Sequence, residues 1–170
     1  MKFFLPLIIS LSFIFESIFV ELLPEAFSNS DMILVPHFLM VMIIFTTIYG
    51  NQKHGLIYGF IFGLLFDVVY TEIIGIYLFL IPLVTKMVSW LMKLLQSNIF
   101  VALIVTLIGV TLLELGVYEM NFLIGITEMN FTSFLNVRLL PTLILNLIFI
   151  VIVAFPLKKF MDAYAQSLKD

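Results

Sequence analysis

Four charged side chains fall inside or at the edge of long apolar stretches of this chain: Glu16, Asp67, Glu114 and Arg138. In hydrocarbon each is costly unless it is paired, wetted or neutralised. Asp67 also ends a second pattern, Gly55, Gly59, Gly63 and Asp67, each four residues apart, with Tyr58, Phe62 and Phe66 as a parallel aromatic row. On a helix this spacing places the glycines on one ridge, where missing side chains let another helix approach the backbone. The ridge either packs within the chain's own bundle, seats a partner's helix, or lines a cavity. The chemistry these residues suit is ion pairing, hydrogen bonding and close helix packing, with proton binding at Asp67 or Glu16 as a further option. Asn146, Thr106 and Thr111 suit hydrogen bonds across helices. The chain has no serine–histidine–acid trio, phosphate-binding loop or HExxH zinc signature. It has no cysteine, and its two histidines, His37 and His54, are placed on opposite sides of a membrane by the topology below. No catalytic residue, metal site or cofactor is expected.

The elements that must position these residues follow from composition. Of 170 residues, 63% are hydrophobic and 11% charged, and the mean hydropathy is +1.23. A soluble domain is about half apolar and about a quarter charged, so a soluble enzyme is excluded, as is a disordered chain. A net charge of −3 does not suit nucleic acid. A spanning helix needs about 20 apolar residues, and six segments meet or approach this: Phe3–Leu23, Met32–Tyr49, Gly55–Tyr70, Ile73–Trp90, Ile99–Tyr118 and Val137–Phe155. They are continuously apolar, which does not fit a barrel. Glu16 inside the first stretch, and Pro24 and Glu25 after it, count against a cleaved signal peptide. The expected fold is an all-α integral membrane protein with six transmembrane helices, a single transmembrane domain over residues 1–170.

Orientation is read from the basic residues. With the amino terminus in the cytoplasm, Lys2, Lys53, Lys86, Lys93, Lys158, Lys159 and Lys169 fall at or near the inner face, and only Arg138 at the outer one. This bias sets topology, so both termini are expected to be cytoplasmic. The loops expected outside carry Glu21, Glu25, Asp31, Glu72, Glu119 and Glu128. The third and fourth spans form a hairpin joined by Thr71 and Glu72, and Lys86–Gln96 is a candidate for lying along the inner surface. At 1.5 Å per residue Asp67 lies ~18 Å from Gly55, Glu16 ~21 Å from Lys2 and Glu114 ~24 Å from Asn98. All three, with Arg138, then fall in the outer half. The expectation is an outer polar cluster in which Arg138 is the one cation available to several carboxylates.

The run Asn51–Thr71, NQKHGLIYGFIFGLLFDVVYT, with Gly75-Ile-Tyr77 after it, resembles the central signature of the MreD family of rod shape-determining membrane proteins. Glu16-Ser-Ile-Phe19, Leu34-Val-Pro-His-Phe-Leu39, Leu112-Leu-Glu114 and Pro141-Thr-Leu-Ile-Leu-Asn146 resemble it in the same order, closest to its Gram-positive branch. The resemblance implies a non-enzymatic scaffold or regulator of the elongation machinery that inserts peptidoglycan along the cell cylinder. The implied partners are MreC, MreB, RodA and a class B penicillin-binding protein. The implied fold is similar to the six-helix substrate-binding subunits of energy-coupling-factor vitamin transporters. A vitamin-binding subunit is one alternative function, although the first span lacks the Ala-x-x-x-Ala pattern such subunits carry. An ion-coupled transporter using Asp67 or Glu16 is another.

Overall fold

A computed structural model describes residues 4–22, 32–71, 73–95 and 98–168. Lys2, Glu25, Asp31, Glu72 and Lys169, used above to orient the chain, lie outside the described residues. Among the described residues six helices make the fold: α1 Phe4–Leu22, α2 Phe38–Gly50, α3 Gln52–Tyr70, α4 Ile76–Leu94, α5 Ile99–Leu123 and α6 Phe131–Ser167. Five of these, all but α2, are long and apolar enough to cross a membrane. The 37 residues of α6 reach about 55 Å, against a hydrocarbon core of about 30 Å, so this helix extends beyond any bilayer it crosses.

The second span departs from expectation. Met32–His37 is neither helix nor strand and the helix begins only at Phe38. Pro36 disfavours helical backbone at Val35, and α6 supplies what the irregular strip needs. Pro141 has no N–H, so the Val137 carbonyl lacks its usual donor four residues on. The Ile33 amide donates to it at 2.8 Å. The Val35 amide donates to Thr142 Oγ1 at 3.1 Å, and the His37 amide to Asn146 Oδ1 at 2.8 Å. Asn146 Nδ2 in turn donates to the Val35 carbonyl at 2.9 Å. Irregular backbone is tolerated at membrane depth only where protein satisfies it, and here one backbone carbonyl and two side chains of α6 do so. The rest of α2 is the centre of the bundle: every residue from Phe38 to Phe45 is buried, as expected of a helix that is apolar all round.

The other helices surround it. Helix α1 buries a single stripe, Leu5, Ile9, Phe13 and Glu16. Its Phe13 ring packs against Phe62, Phe66 and Tyr70 of α3 at centroid distances of 6.0, 5.9 and 5.3 Å. The Asn51 side chain caps the start of α3, accepting from the Lys53 amide at 2.9 Å. Helix α4 starts at Ile76, three residues later than expected, because Gly75 turns the chain at φ 127°, a backbone shape that suits glycine. Lys86 and Lys93 lie within α4, which continues to Leu94 rather than turning along a surface. Much of the loop expected between the fifth and sixth spans is also helical: α5 runs on to Leu123, and the Asn130 side chain caps α6 through the Ser133 amide at 2.8 Å.

Helix α4 fills the glycine ridge. A methyl group added at Gly63 would stand 2.7 Å from the Tyr77 carbonyl oxygen and 3.0 Å from Leu78 Cα. One at Gly59 would meet Ile81 at 3.5 Å and the Pro82 backbone at 3.6 Å, and one at Gly55 would run into the Thr47 side chain of α2. The ridge is a seat for the chain's own helices.

Candidate polar site at the carboxylate end of the bundle

Two of the carboxylates are helix caps. Asp67, fully buried near the end of α3, accepts from the amides of Gly75, Tyr77 and Leu78 at 2.8, 2.9 and 2.9 Å. The first amides of a helix have no partner within it, and an acceptor placed there also meets the positive end of the helix dipole. Asp67 therefore joins α3 to α4 at the end of the hairpin where Gly63 brings the backbones together. Glu16 plays the corresponding part for α2. It is buried, accepts from the Leu39 amide at 3.0 Å, and lies within electrostatic reach of His37. The polar end of α1 is held further by a hydrogen bond between the Ser17 and Tyr70 hydroxyls.

The third carboxylate forms an ionic site. Glu114 of α5 has no exposed surface. Its Oε2 accepts from Arg138 Nε at 2.8 Å and its Oε1 from Arg138 Nη2 at 3.3 Å. Oε1 also accepts from His37 Nε2 at 2.6 Å. Arg138 sits in a π-type turn, Phe134–Leu139, at the start of α6, a widened geometry common at functional positions. His37 closes the irregular strip just before α2. One buried carboxylate thus ties three segments that are distant in sequence. Losing one member of a buried ion pair is more damaging than replacing the whole pair, because the remaining charge is stranded.

Of the four charged residues singled out, the structure brings Glu114 and Arg138 into contact. Glu16 and Asp67 are instead satisfied by backbone amides. Sequence reasoning passed over His37, considering it only as a metal ligand. Its signal was present: a polar ring directly after a proline, in an otherwise apolar run. Asn146, taken as helix glue, holds backbone rather than another helix's side chain. His54 meets the Tyr164 hydroxyl at 2.8 Å near the far end of α6, where Lys158 also stands over the Tyr49 ring at 5.2 Å. Among the described residues no cluster could hold a metal ion.

Comparison with known proteins fits this architecture. The family model of rod shape-determining protein MreD matches residues 1–164. The rod shape-determining protein MreD of Bacillus subtilis (strain 168) is 37% identical over 169 residues, covering 99% of this chain and 98% of that one. The cell shape-determining protein MreD of Streptococcus pneumoniae (strain ATCC BAA-255 / R6) is 28% identical over 127 residues, covering 75% of this chain and 77% of that one. No solved structure matches the chain. With nearly its whole length accounted for, the chain belongs to the MreD family of rod shape-determining proteins.

Proposed function

We propose that this chain acts as a non-enzymatic scaffold or regulator of the cell-wall elongation complex. Its proposed partner is MreC, with MreB, RodA and a class B penicillin-binding protein as further members of the complex. Membership of a shape-determining family carries this reading. The internal chemistry agrees with it: the buried carboxylates Glu16, Asp67 and Glu114 are engaged in capping helices and in the ionic site. Such a bundle is suited to holding a fixed shape in a bilayer.

In this reading all six helices belong to one transmembrane domain with both termini cytoplasmic, arranged like the substrate-binding subunits of energy-coupling-factor transporters. Gly55, Gly59, Gly63 and Asp67 support partner binding from within, by setting the shape of the α2–α3–α4 unit. The polar residues Glu16, Glu114 and Arg138 do the same at the outer end. The docking face for a single membrane helix lies on the apolar exterior, and Lys158 and Lys159 face the cytoplasmic surface, where anionic lipid would hold them.

The experiment is purification of the tagged chain from native membranes in mild detergent, with identification of the bound proteins and measurement of cell width on depletion. Recovery of MreC with the chain, and loss of rod shape on depletion, are the expected results. Abundant folded chain without MreC, from cells that stay rod-shaped when it is depleted, would overturn the proposal.

A further inference from the structure

A guanidinium is planar and presents two edges at which an oxyanion can take two hydrogen bonds. Glu114 occupies one edge of Arg138, the pair Nε and Nη2. The other edge, Nη1 and Nη2, has no partner among the described residues. The Arg138 side chain is 27% exposed and lines a cleft of about 260 Å³ between the α3–α4 turn and the ends of α5 and α6. Four further residues on its wall carry polar groups: Asn121, Tyr77, Thr71 and Tyr70, the last with its hydroxyl engaged by Ser17. The Asn121 side-chain amide and the Tyr77 hydroxyl make no hydrogen bond with any described residue, and both can donate. The carboxylate oxygens nearby do not compete for the open donors of the cleft. Asp67 and Glu114 are wholly buried, and their oxygens are engaged by backbone amides, His37 and Arg138.

We infer that this cleft is a binding site for one oxyanion group, a phosphate or carboxylate, seated on the open edge of Arg138 with Asn121 and Tyr77 as flanking donors. Glu114 holds the guanidinium in place, so little side-chain freedom is lost when the ligand binds. Charge-assisted, two-point contacts of this kind are the strong ones. At about 30 Å³ of liquid volume per water molecule, the cleft admits a head group but not an acyl chain. A lipid would therefore place its phosphate inside and its chains against the apolar exterior. A soluble phosphate or carboxylate compound would satisfy the same donors.

The purified full chain, stripped of lipid, is titrated with dioleoyl phosphatidylglycerol and, separately, with dioleoylglycerol, which has the same chains and no phosphate. Bound lipid is counted by native mass spectrometry. The expected result is about tenfold tighter binding of phosphatidylglycerol, the scale of one charge-assisted bond. Two variants that leave the Glu114 pair intact, Asn121→Leu and a change at Ile126 on the same cleft wall, Ile126→Trp, are expected to reduce that preference at least about fivefold without changing the melting temperature. Displacement by millimolar glycerol 3-phosphate would assign the site to a free oxyanion. Resistance to displacement, with the preference retained, would assign it to a membrane lipid. Equal binding of the two lipids with no affinity for glycerol 3-phosphate would overturn the inference, as would a preference unchanged in both variants.

Discussion

His37 Nε2 donates to Glu114 Oε1 at 2.6 Å across 77 positions of sequence, and the same carboxylate accepts from Arg138 Nε at 2.8 Å. The residue just before α2, the middle of α5 and the start of α6 are thereby locked at one point. Much of the behaviour expected of this protein follows from how such buried polar contacts are completed.

Replacing Glu114 by Ala should strand Arg138 and His37. Breaking one partner of a buried pair costs about 3–5 kcal/mol, enough to lower the detergent melting temperature by many degrees. The double variant Glu114→Leu with Arg138→Met removes both charges and should recover much of the loss. A double variant as unstable as the sum of the singles would show that the two residues do not act as a pair.

At Asp67 the acceptor matters more than the charge. Asp67→Ala leaves three amides at the start of α4 without their acceptor, and a loss of about 2 kcal/mol or more is expected. Asp67→Asn keeps one oxygen and should lose less. Thermal unfolding of the two variants side by side checks the order, and an Asn variant no better than Ala would contradict the capping role.

The glycines of α3 should differ from one another. Gly63→Ala drives a methyl group against the Tyr77 carbonyl at 2.7 Å, an overpacking cost of about 1–3 kcal/mol. At Gly59 the nearest atom is at 3.5 Å, so Gly59→Ala should be nearly neutral, whereas leucine at either position should force α4 away. Equal stability of the two alanine variants would show that α4 does not seat on Gly63 as described.

Asn146 should control the irregular strip before α2. The chain has no cysteine, so a Val35→Cys variant provides a single label site. Adding Asn146→Leu removes the acceptor for the His37 amide and the donor to the Val35 carbonyl. At about 1 kcal/mol net for each bond, labelling of Cys at 35 by a small maleimide is expected to rise roughly tenfold or more. Labelling that does not change would place the anchoring elsewhere.

What could be read without coordinates was whatever depends on local composition. Uninterrupted apolar runs identified helices made for a membrane, four-residue glycine spacing marked a ridge of close approach, and carboxylates in hydrocarbon had to have partners. Those inferences need only helical periodicity and the cost of burying charge. The partners themselves were not legible. Asp67 and Glu16 are satisfied by backbone amides, which every residue carries and no composition distinguishes. His37 meets Glu114, and Asn146 holds residues 35 and 37 across 111 and 109 positions. Met32–His37 looks as apolar as a helix, yet it is not helical, because Pro36 disfavours the helix locally and α6 offers the hydrogen bonds the irregular backbone requires. Hydrophobicity decides that the chain enters a bilayer. Only the packed helices decide which buried polar group meets which, since each such bond depends on elements that come together after the chain has folded.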